Sequence, residues 1–420
     1  MSIGSVNTFR AFNSNNFKYY FAGRSISQFG RWMQRTAVVW MVYSLTHSPF
    51  MLGVTVFAEQ FPSFLFSFGG GVAADRYDRM KIIRWTQIGA VVQTSLLAIL
   101  LLCNHIVVWE ILCLSVLLGI INAFDVPARQ TMINEVVQDP GDVSSALSLS
   151  AAMSSVSKVL APAAAGIVLQ HWNAGICFVV NAIGFIVVII CFSKMKMKPY
   201  EKRVTNKKVF TVFKEGILYF KKAPEIGLVI LMVSLIGLLV LPYDTLIPQV
   251  AKVTFNGNAA TFGYISGFVG LGAVSGTVLL ASLKRGANLR FYLILSTAVL
   301  GIGLLCFAFT TNFYLALLFV VLTGFGAVTQ FTSCNIIVQS EAAPDMRGRA
   351  ISILLTAIFG MLPLGSLLIG FASEHIGSQM TLFIQGMLAI VIALIFYRRF
   401  FPVKKEKVPS YAKEPVSSEM

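Results

Sequence analysis

The chain has 420 residues, of which 56% are hydrophobic and only 12% are charged, whereas soluble proteins carry about 25% charged residues. This composition excludes an ordinary soluble globular protein. A membrane-spanning helix needs about 20 mostly apolar residues, and twelve such runs fill the sequence, at approximately 20–45, 50–73, 82–104, 107–127, 143–170, 174–193, 224–248, 261–283, 291–311, 314–338, 348–373 and 379–401. The predicted fold class is therefore an all-α membrane protein with twelve transmembrane helices.

The net charge of +15 follows the topology of the spans. If the chain begins in the cytoplasm and alternates sides, nearly all Lys and Arg residues outside the spans lie on inner segments, and only Lys252 lies on an outer loop. This asymmetry is the positive-inside rule, and it attracts lipid headgroups rather than nucleic acid. We predict that both termini are cytoplasmic, that the bilayer is a partner and that nucleic acid is not.

The first span carries three arginines, Arg24, Arg31 and Arg35, at spacings of seven and four. At 100° per residue they fall within about 40° on one helical face. An ionisable group inside a membrane is costly unless it faces a cavity or a partner. Arg24 is near enough to the inner end to snorkel. Arg31 and Arg35 are deeper, so we predict that they line the substrate or proton pathway.

Two acids in predicted spans are candidates for carrying the transported proton. Glu59, in "FAEQFPSF" of the second span, either pairs with an arginine of the first span or gains and loses a proton during the cycle. Burial raises a carboxyl pKa and a nearby cation lowers it, so a conformational change can move such a group across the working range. Asp244, in "LPYDTLIP" of the seventh span, is the second candidate. The alternative interpretation is that Asp244 is only a polar residue at a helix end near the outer surface.

The loop after the second span, "GGGVAADRYDRMKII", is densely charged. Basic residues hold a short loop on the inner side, which explains Arg79 and Lys81. The rule does not explain Asp75, because acids contribute little to topology. Further along, the fifth span places Lys158 in "SSVSKVLAPAAAG", on one face with Ser154 and Pro162.

The longest polar stretch divides the chain into six spans and six. We predict an amino-terminal six-helix bundle at 1–193, a basic cytoplasmic linker at 194–223, a second bundle at 224–401 and a disordered cytoplasmic tail at 402–420. Part of the linker, 209–220, is predicted to lie along the inner membrane surface. The six cysteines lie in or beside apolar runs without a CxxC pair, so we predict neither a metal nor a cofactor.

The charged loop resembles the signature loop G-x-x-x-D-R-x-G-R-R/K of the major facilitator superfamily, with Asp78 where glycine is usual. We match Gly71, Asp75, Arg76 and Arg79 to this pattern, and Lys81 to its last basic residue, one position further along. Two further segments narrow the resemblance to the exporter branch that contains the enterobactin exporter and related drug-efflux proteins. These segments are "FDVPARQTMINEVV" and "GRWMQRTAVVW".

The resemblance implies two pseudo-symmetric six-helix bundles and a conformational latch at this loop. Asp75 would face the amino-terminal end of the eleventh span, where the helix dipole favours an anion, and Arg79 would pair with Asp125 at the inner end of the fourth span. The alternative is a solvated turn that only orients the chain. In the fifth span, Lys158 stands where related exporters have a cation.

The sequence has no Gly-Lys pair of a Walker A loop, no HExxH and no GxSxG, which argues against an ATP-driven pump and an enzyme. We predict a monomeric secondary transporter that exports an organic small molecule, either a siderophore or a drug-like amphipath, across the bacterial inner membrane by proton antiport. The alternatives are an importer or a lysophospholipid transporter of the same fold. A different class, a membrane enzyme or sensor on a transporter scaffold, also stays open.

Overall fold

A computed structural model describes residues 9–103, 105–137, 139–197, 223–284, 286–344 and 346–401. These residues form helices and connecting loops without any strand, which confirms the predicted all-α class. The long helices are α1 (Asn15–Thr46), α2 (Pro49–Arg76), α3 (Arg79–Leu102), α4 (Val108–Val136), α5 (Val143–His171), α6 (Gly175–Ser193), α7 (Pro224–Thr254), α8 (Ala259–Ser282), α9 (Leu289–Phe309), α10 (Phe313–Glu341), α11 (Arg347–Ile376) and α12 (Ser378–Phe400). The predicted surface segment 209–220 and the tail 402–420 lie outside the described residues.

Eleven of these helices, α2 to α12, are long and apolar enough to cross a membrane. The exception is α1, whose 32 residues would extend about 48 Å at 1.5 Å per residue. It is long enough to span, but Arg24, Arg31 and Arg35 interrupt its apolar sequence. Its polar face must therefore be covered by protein or by a cavity.

Side chains at the helix starts cap the free N–H groups of the first turn. The Ser48 hydroxyl accepts a hydrogen bond from the N–H of Met51 at 3.2 Å before α2. Asp78 Oδ1 accepts one from the N–H of Met80 at 2.9 Å before α3. Asp78, which departs from the superfamily signature, is thus the N-cap residue that precedes α3.

Helix α7 changes its winding partway along its length. It is α-helical to Leu239, becomes a 3-10 helix over Leu241–Leu246, and ends as a π-helix over Val250–Thr254. Irregular backbone within a membrane-spanning segment needs polar partners, and Gln385 of α12 supplies one by donating its side-chain N–H to the Val240 carbonyl at 3.2 Å. The break places Asp244 on an irregular turn rather than on a regular helix.

Small residues let the first half, α1–α6, approach the second half, α7–α12. Gly53 of α2 lies against the Ser366 backbone of α11, and a Cβ added to Gly53 would overlap the Ser366 carbonyl. On the other side of the molecule, a Cβ on Gly166 of α5 would lie 2.6 Å from the carbonyl of Ala259, the first residue of α8. Such close backbone approach is typical of packed membrane helices.

These contacts between halves lie toward one side of the membrane. We name the side that carries the loops after α2, α4, α6, α8 and α10 the basic side, and the other the opposite side. At the opposite side the carboxylate of Glu374 accepts hydrogen bonds from the Ser48 hydroxyl at 2.8 Å and from the Phe50 N–H at 3.1 Å. Toward the basic side, a Cβ added to Gly69 would meet no atom within 4 Å. The structure is therefore closed on the opposite side.

Candidate substrate and coupling site

A buried cluster of charges surrounds Asp125 of α4, whose exposed fraction is 1%. Arg129, one turn further along α4, and Arg31 of α1 both approach Oδ2, and the Arg31 Nη1 lies 3.7 Å from it. On the other oxygen, Oδ1, Thr86 donates a hydrogen bond at 3.0 Å and Gln87 at 2.9 Å. The carboxylate is thus satisfied at both oxygens, as a buried charge must be.

The predicted pairing of Arg79 with Asp125 is wrong in this structure. Arg79 begins α3 and forms an ion pair with Glu135 in the last turn of α4, while its Nε donates to the Ala74 carbonyl at 3.2 Å. Glu135 lies ten residues beyond Asp125, which is about 15 Å along a helix. A side chain at the level of the loop therefore reaches Glu135, and the deeper arginines reach Asp125.

The other residues of the predicted latch lie near the end of α2 and the start of α3. Asp75 and Arg76 are exposed in the last turn of α2, and Lys81 is exposed in the first turn of α3. Gly71 has open space around its Cα, since an added Cβ would have no neighbour within 4 Å. That Asp75 acts on the start of α11 stays a prediction.

Arg129 is a site residue that the sequence analysis missed. Only 4% of it is exposed, although it stands close to the basic end of α4. Its spacing of four residues from Asp125 was the available signal, because side chains at i and i+4 lie on the same helical face.

A second buried feature, an amide network, was also missed. Gln34 of α1 donates a hydrogen bond to Gln93 of α3 at 3.3 Å and accepts one from Thr94 at 2.9 Å. Asn181 of α6 donates to the same Gln34 oxygen at 2.5 Å. All four side chains are at most 2% exposed. The network joins three helices of the first half through side chains that lipid could not satisfy.

Two cations flank the indole ring of Trp32, on the same helix as Arg31. The Arg35 guanidinium carbon lies 5.5 Å from the ring centroid, and the Lys158 Nζ of α5 lies 5.9 Å from it. These distances are in the range of cation–π contacts. Among the described residues, neither cation has a carboxylate within 4.0 Å. Asp244 of the second half is exposed, and within the described part of the chain it forms no ion pair with Lys158.

Glu59 is half-buried on α2, where its backbone carbonyl touches α4 at Gly119. The predicted bridge to an arginine of α1 is not formed here: within the described part of the chain, the Glu59 side chain has no ion pair. Its role as a proton carrier stays a prediction.

Comparison with known proteins identifies the family of this chain. The family model of transmembrane secretion effectors matches residues 6–419. The staphyloferrin A transporter of Staphylococcus aureus is 27% identical over 388 residues, covering 90% of this chain and 95% of that protein. Macrolide efflux protein A of Streptococcus pyogenes is 20% identical over 390 residues, covering 91% and 96%.

Among solved structures, a D-xylose-proton symporter superposes with a TM-score of 0.73 at 12% identity, covering 90% of this chain and 97% of that one. At this identity the likeness concerns the fold alone. Together with the family match over nearly the whole chain, it confirms the resemblance drawn from the charged loop. The chain belongs to the transmembrane secretion effector family of the major facilitator superfamily.

Proposed function

We propose that this transporter, which is of the siderophore- and drug-exporter type, moves a carboxylate-bearing organic anion out of a bacterial cell. The substrate would be a siderophore or an amphipath of similar polarity, exchanged for protons across the cytoplasmic membrane by a monomer. The names of its relatives support export and both substrate classes, since one relative is a staphyloferrin A transporter and another a macrolide efflux protein.

The cation pair around Trp32 is the observation that carries this proposal. Arg35 and Lys158 are inside the membrane region without an acid in contact, so an incoming carboxylate would supply the missing counter-charge. Trp32 offers a flat apolar surface for the rest of the ligand, as in most small-molecule sites. The guanidinium of Arg24 lies near the ring of Tyr20 at 5.9 Å and adds positive charge on the same face of α1.

The direction of transport is argued from the charge of the loops. Basic loops face the cytoplasm in most membrane proteins, so the basic side would be cytoplasmic and both termini would lie there. The structure, closed on the opposite side by Ser48 and Glu374, would then be the state that loads substrate from the cell interior. Release would require the halves to rock, with the α2–α3 loop acting as the latch between states.

Neutralising both cations, Arg35→Gln with Lys158→Gln, is expected to reduce transport of the anion at least about 100-fold. Each charge-assisted contact contributes about 1.5–3 kcal/mol, or roughly tenfold or more in affinity. The measurement is uptake into inverted proteoliposomes with an imposed pH gradient, using carboxylate siderophores, tetraphenylphosphonium and a lysophospholipid. The control is Lys18→Gln, which removes one exposed charge from the start of α1.

Outcomes of this screen separate the alternatives. Transport of the carboxylate compound by the parent and by Lys18→Gln, with its loss in the double variant, supports the proposal. Transport of tetraphenylphosphonium alone would overturn the anionic substrate. Movement of the lysophospholipid alone would favour the lipid-transporter alternative.

Glu59→Gln is expected to remove the dependence of transport on the pH gradient while substrate counterflow continues. The reason is that Glu59 is half-buried and has no ion pair in the described structure, so in this proposal its carboxyl is the group that carries the exchanged proton. Glu110→Gln is the matched control, because Glu110 caps the start of α4 by accepting the Val107 N–H and Gln preserves that cap. Full gradient dependence in Glu59→Gln, with its loss in Asp244→Asn, would assign the proton to Asp244 instead.

A further inference from the structure

A groove of about 790 Å³ lies on the basic side, away from the cations around Trp32. Its walls are the end of α2, the first two turns of α3 and Phe124 of α4. Lys81 and Trp85, both lining it, lie within about 10 Å of the start of α3 at 1.5 Å per residue. The groove is therefore at the depth where lipid headgroups meet a membrane protein.

The groove carries an excess of positive charge. Arg76 and Lys81 line it and are exposed, and within the described ranges neither side chain makes an ion pair or a hydrogen bond. Arg84, one turn beyond Lys81, is also exposed. The acid in the lining is Asp78, and its Oδ1 accepts the N–H of Met80 as the cap of α3. The two lining cations are thus available to an anion from outside the chain.

The remaining surface of the groove is aromatic and apolar. Trp85 is 74% exposed and Tyr77 is 65% exposed. Such amphipathic rings concentrate at the headgroup level of bilayers. Ile82 and Phe124 continue the surface toward the core. A free inorganic anion would leave this apolar half of the groove exposed to water, whereas the glycerol and upper acyl chain of a lipid would cover it.

We propose that the groove binds an anionic phospholipid, with its phosphodiester between Arg76 and Lys81 and its glycerol and acyl chain along Trp85 and Ile82. The lipid would also touch Thr86, which lines the groove and donates its hydroxyl to Asp125 at 3.0 Å. Its headgroup would thus lie one side chain away from the buried charge cluster. This site is separate from the proposed substrate site, and its test needs no transport.

Native mass spectrometry of the full chain, titrated with dioleoylphosphatidylglycerol and with dioleoylphosphatidylcholine, tests the proposal. We expect the anionic lipid to bind the parent about 30-fold more tightly, because each basic residue near a lipid surface contributes about 1 kcal/mol. In Arg76→Gln with Lys81→Gln this preference should disappear. The control, Lys284→Gln with Arg399→Gln, removes two exposed charges from the same side and should keep the preference.

Equal affinity of the parent for the two lipids would overturn the proposal, as would an unchanged preference in the groove variant. Displacement of the anionic lipid by millimolar inorganic phosphate would show a phosphate site instead. A second measurement leaves both cations in place: the difference in fluorescence between the parent and Trp85→Phe isolates the emission of Trp85. Brominated phosphatidylglycerol should quench this emission more strongly than brominated phosphatidylcholine, and equal quenching would contradict the proposal.

Discussion

Replacing Asp125 by Asn is expected to lower the free energy of unfolding by about 3–5 kcal/mol and to abolish transport. The substitution keeps the shape of the side chain but leaves Arg31 and Arg129 without their shared negative charge. Removing one partner of a buried ion pair costs this much because the remaining charge stays desolvated. Arg129 has little contact with water, since its exposed fraction is 4%. Denaturant and thermal unfolding of the purified protein measure the change.

Glu135→Gln is the matched control for this experiment. Glu135 also forms an ion pair with an arginine, Arg79, but 44% of the Glu135 side chain is exposed. Exposed pairs contribute about 0–1 kcal/mol, so the control should unfold nearly as the parent does.

A double variant, Asp125→Asn with Arg129→Gln, separates charge from packing. It removes the acid and the more buried of its two arginines, so it should recover more than half of the lost stability if uncompensated charge is the cause. Equal destabilisation by Asp125→Asn and Glu135→Gln would contradict the account, because it would mean that water reaches Arg31 and Arg129.

Eleven of the spans were predictable because each is a long apolar run that hydropathy detects. The sixth span, predicted at 174–193, is α6 (Gly175–Ser193), and the second, predicted at 50–73, is α2 (Pro49–Arg76). The differences lie at polar ends, where helices continue beyond the apolar run. The prediction also missed the irregular winding of α7, which depends on a distant partner, Gln385 of α12.

The candidate site was predictable only in part. The presence of Arg31, Arg35 and Asp125 inside apolar runs indicated that each needs a cavity or a partner. The partner of Asp125 depends on the depth and rotation of the packed helices, which sequence spacing on a single helix does not report. The same holds for the amide network around Gln34, because each of its helices contributes only one or two polar side chains.

Gly53→Ala is expected to shift the protein toward a state that is open on the opposite side. In the present conformation an added Cβ would overlap the Ser366 carbonyl, which is backbone and cannot rotate away. Overpacking of this kind costs about 1–3 kcal/mol, so the equilibrium between conformations should change by about 5- to 150-fold. A state in which α2 and α11 separate at this end is free of that cost.

Electron paramagnetic resonance distances between spin labels at Leu45 and Ile376 report this shift. Both residues are exposed, and they lie at the opposite-side ends of α1 and α11, in different halves. We expect a longer distance to become the main population in Gly53→Ala. The control is Gly69→Ala on the same helix, where an added Cβ meets nothing within 4 Å.

The Gly69→Ala control also accounts for a second effect of the substitution, the higher helix propensity of Ala. Ala favours the helical backbone over Gly by about 1 kcal/mol, and this gain is shared by both variants and by both conformations. A distance change in Gly53→Ala alone therefore measures the contact between α2 and α11. If neither variant changes the distances, closure on the opposite side does not depend on the close approach at Gly53. The hydrogen bonds from Ser48 and Phe50 to Glu374, and the approach of Gly166 to Ala259, would then be contacts between the halves that remain there.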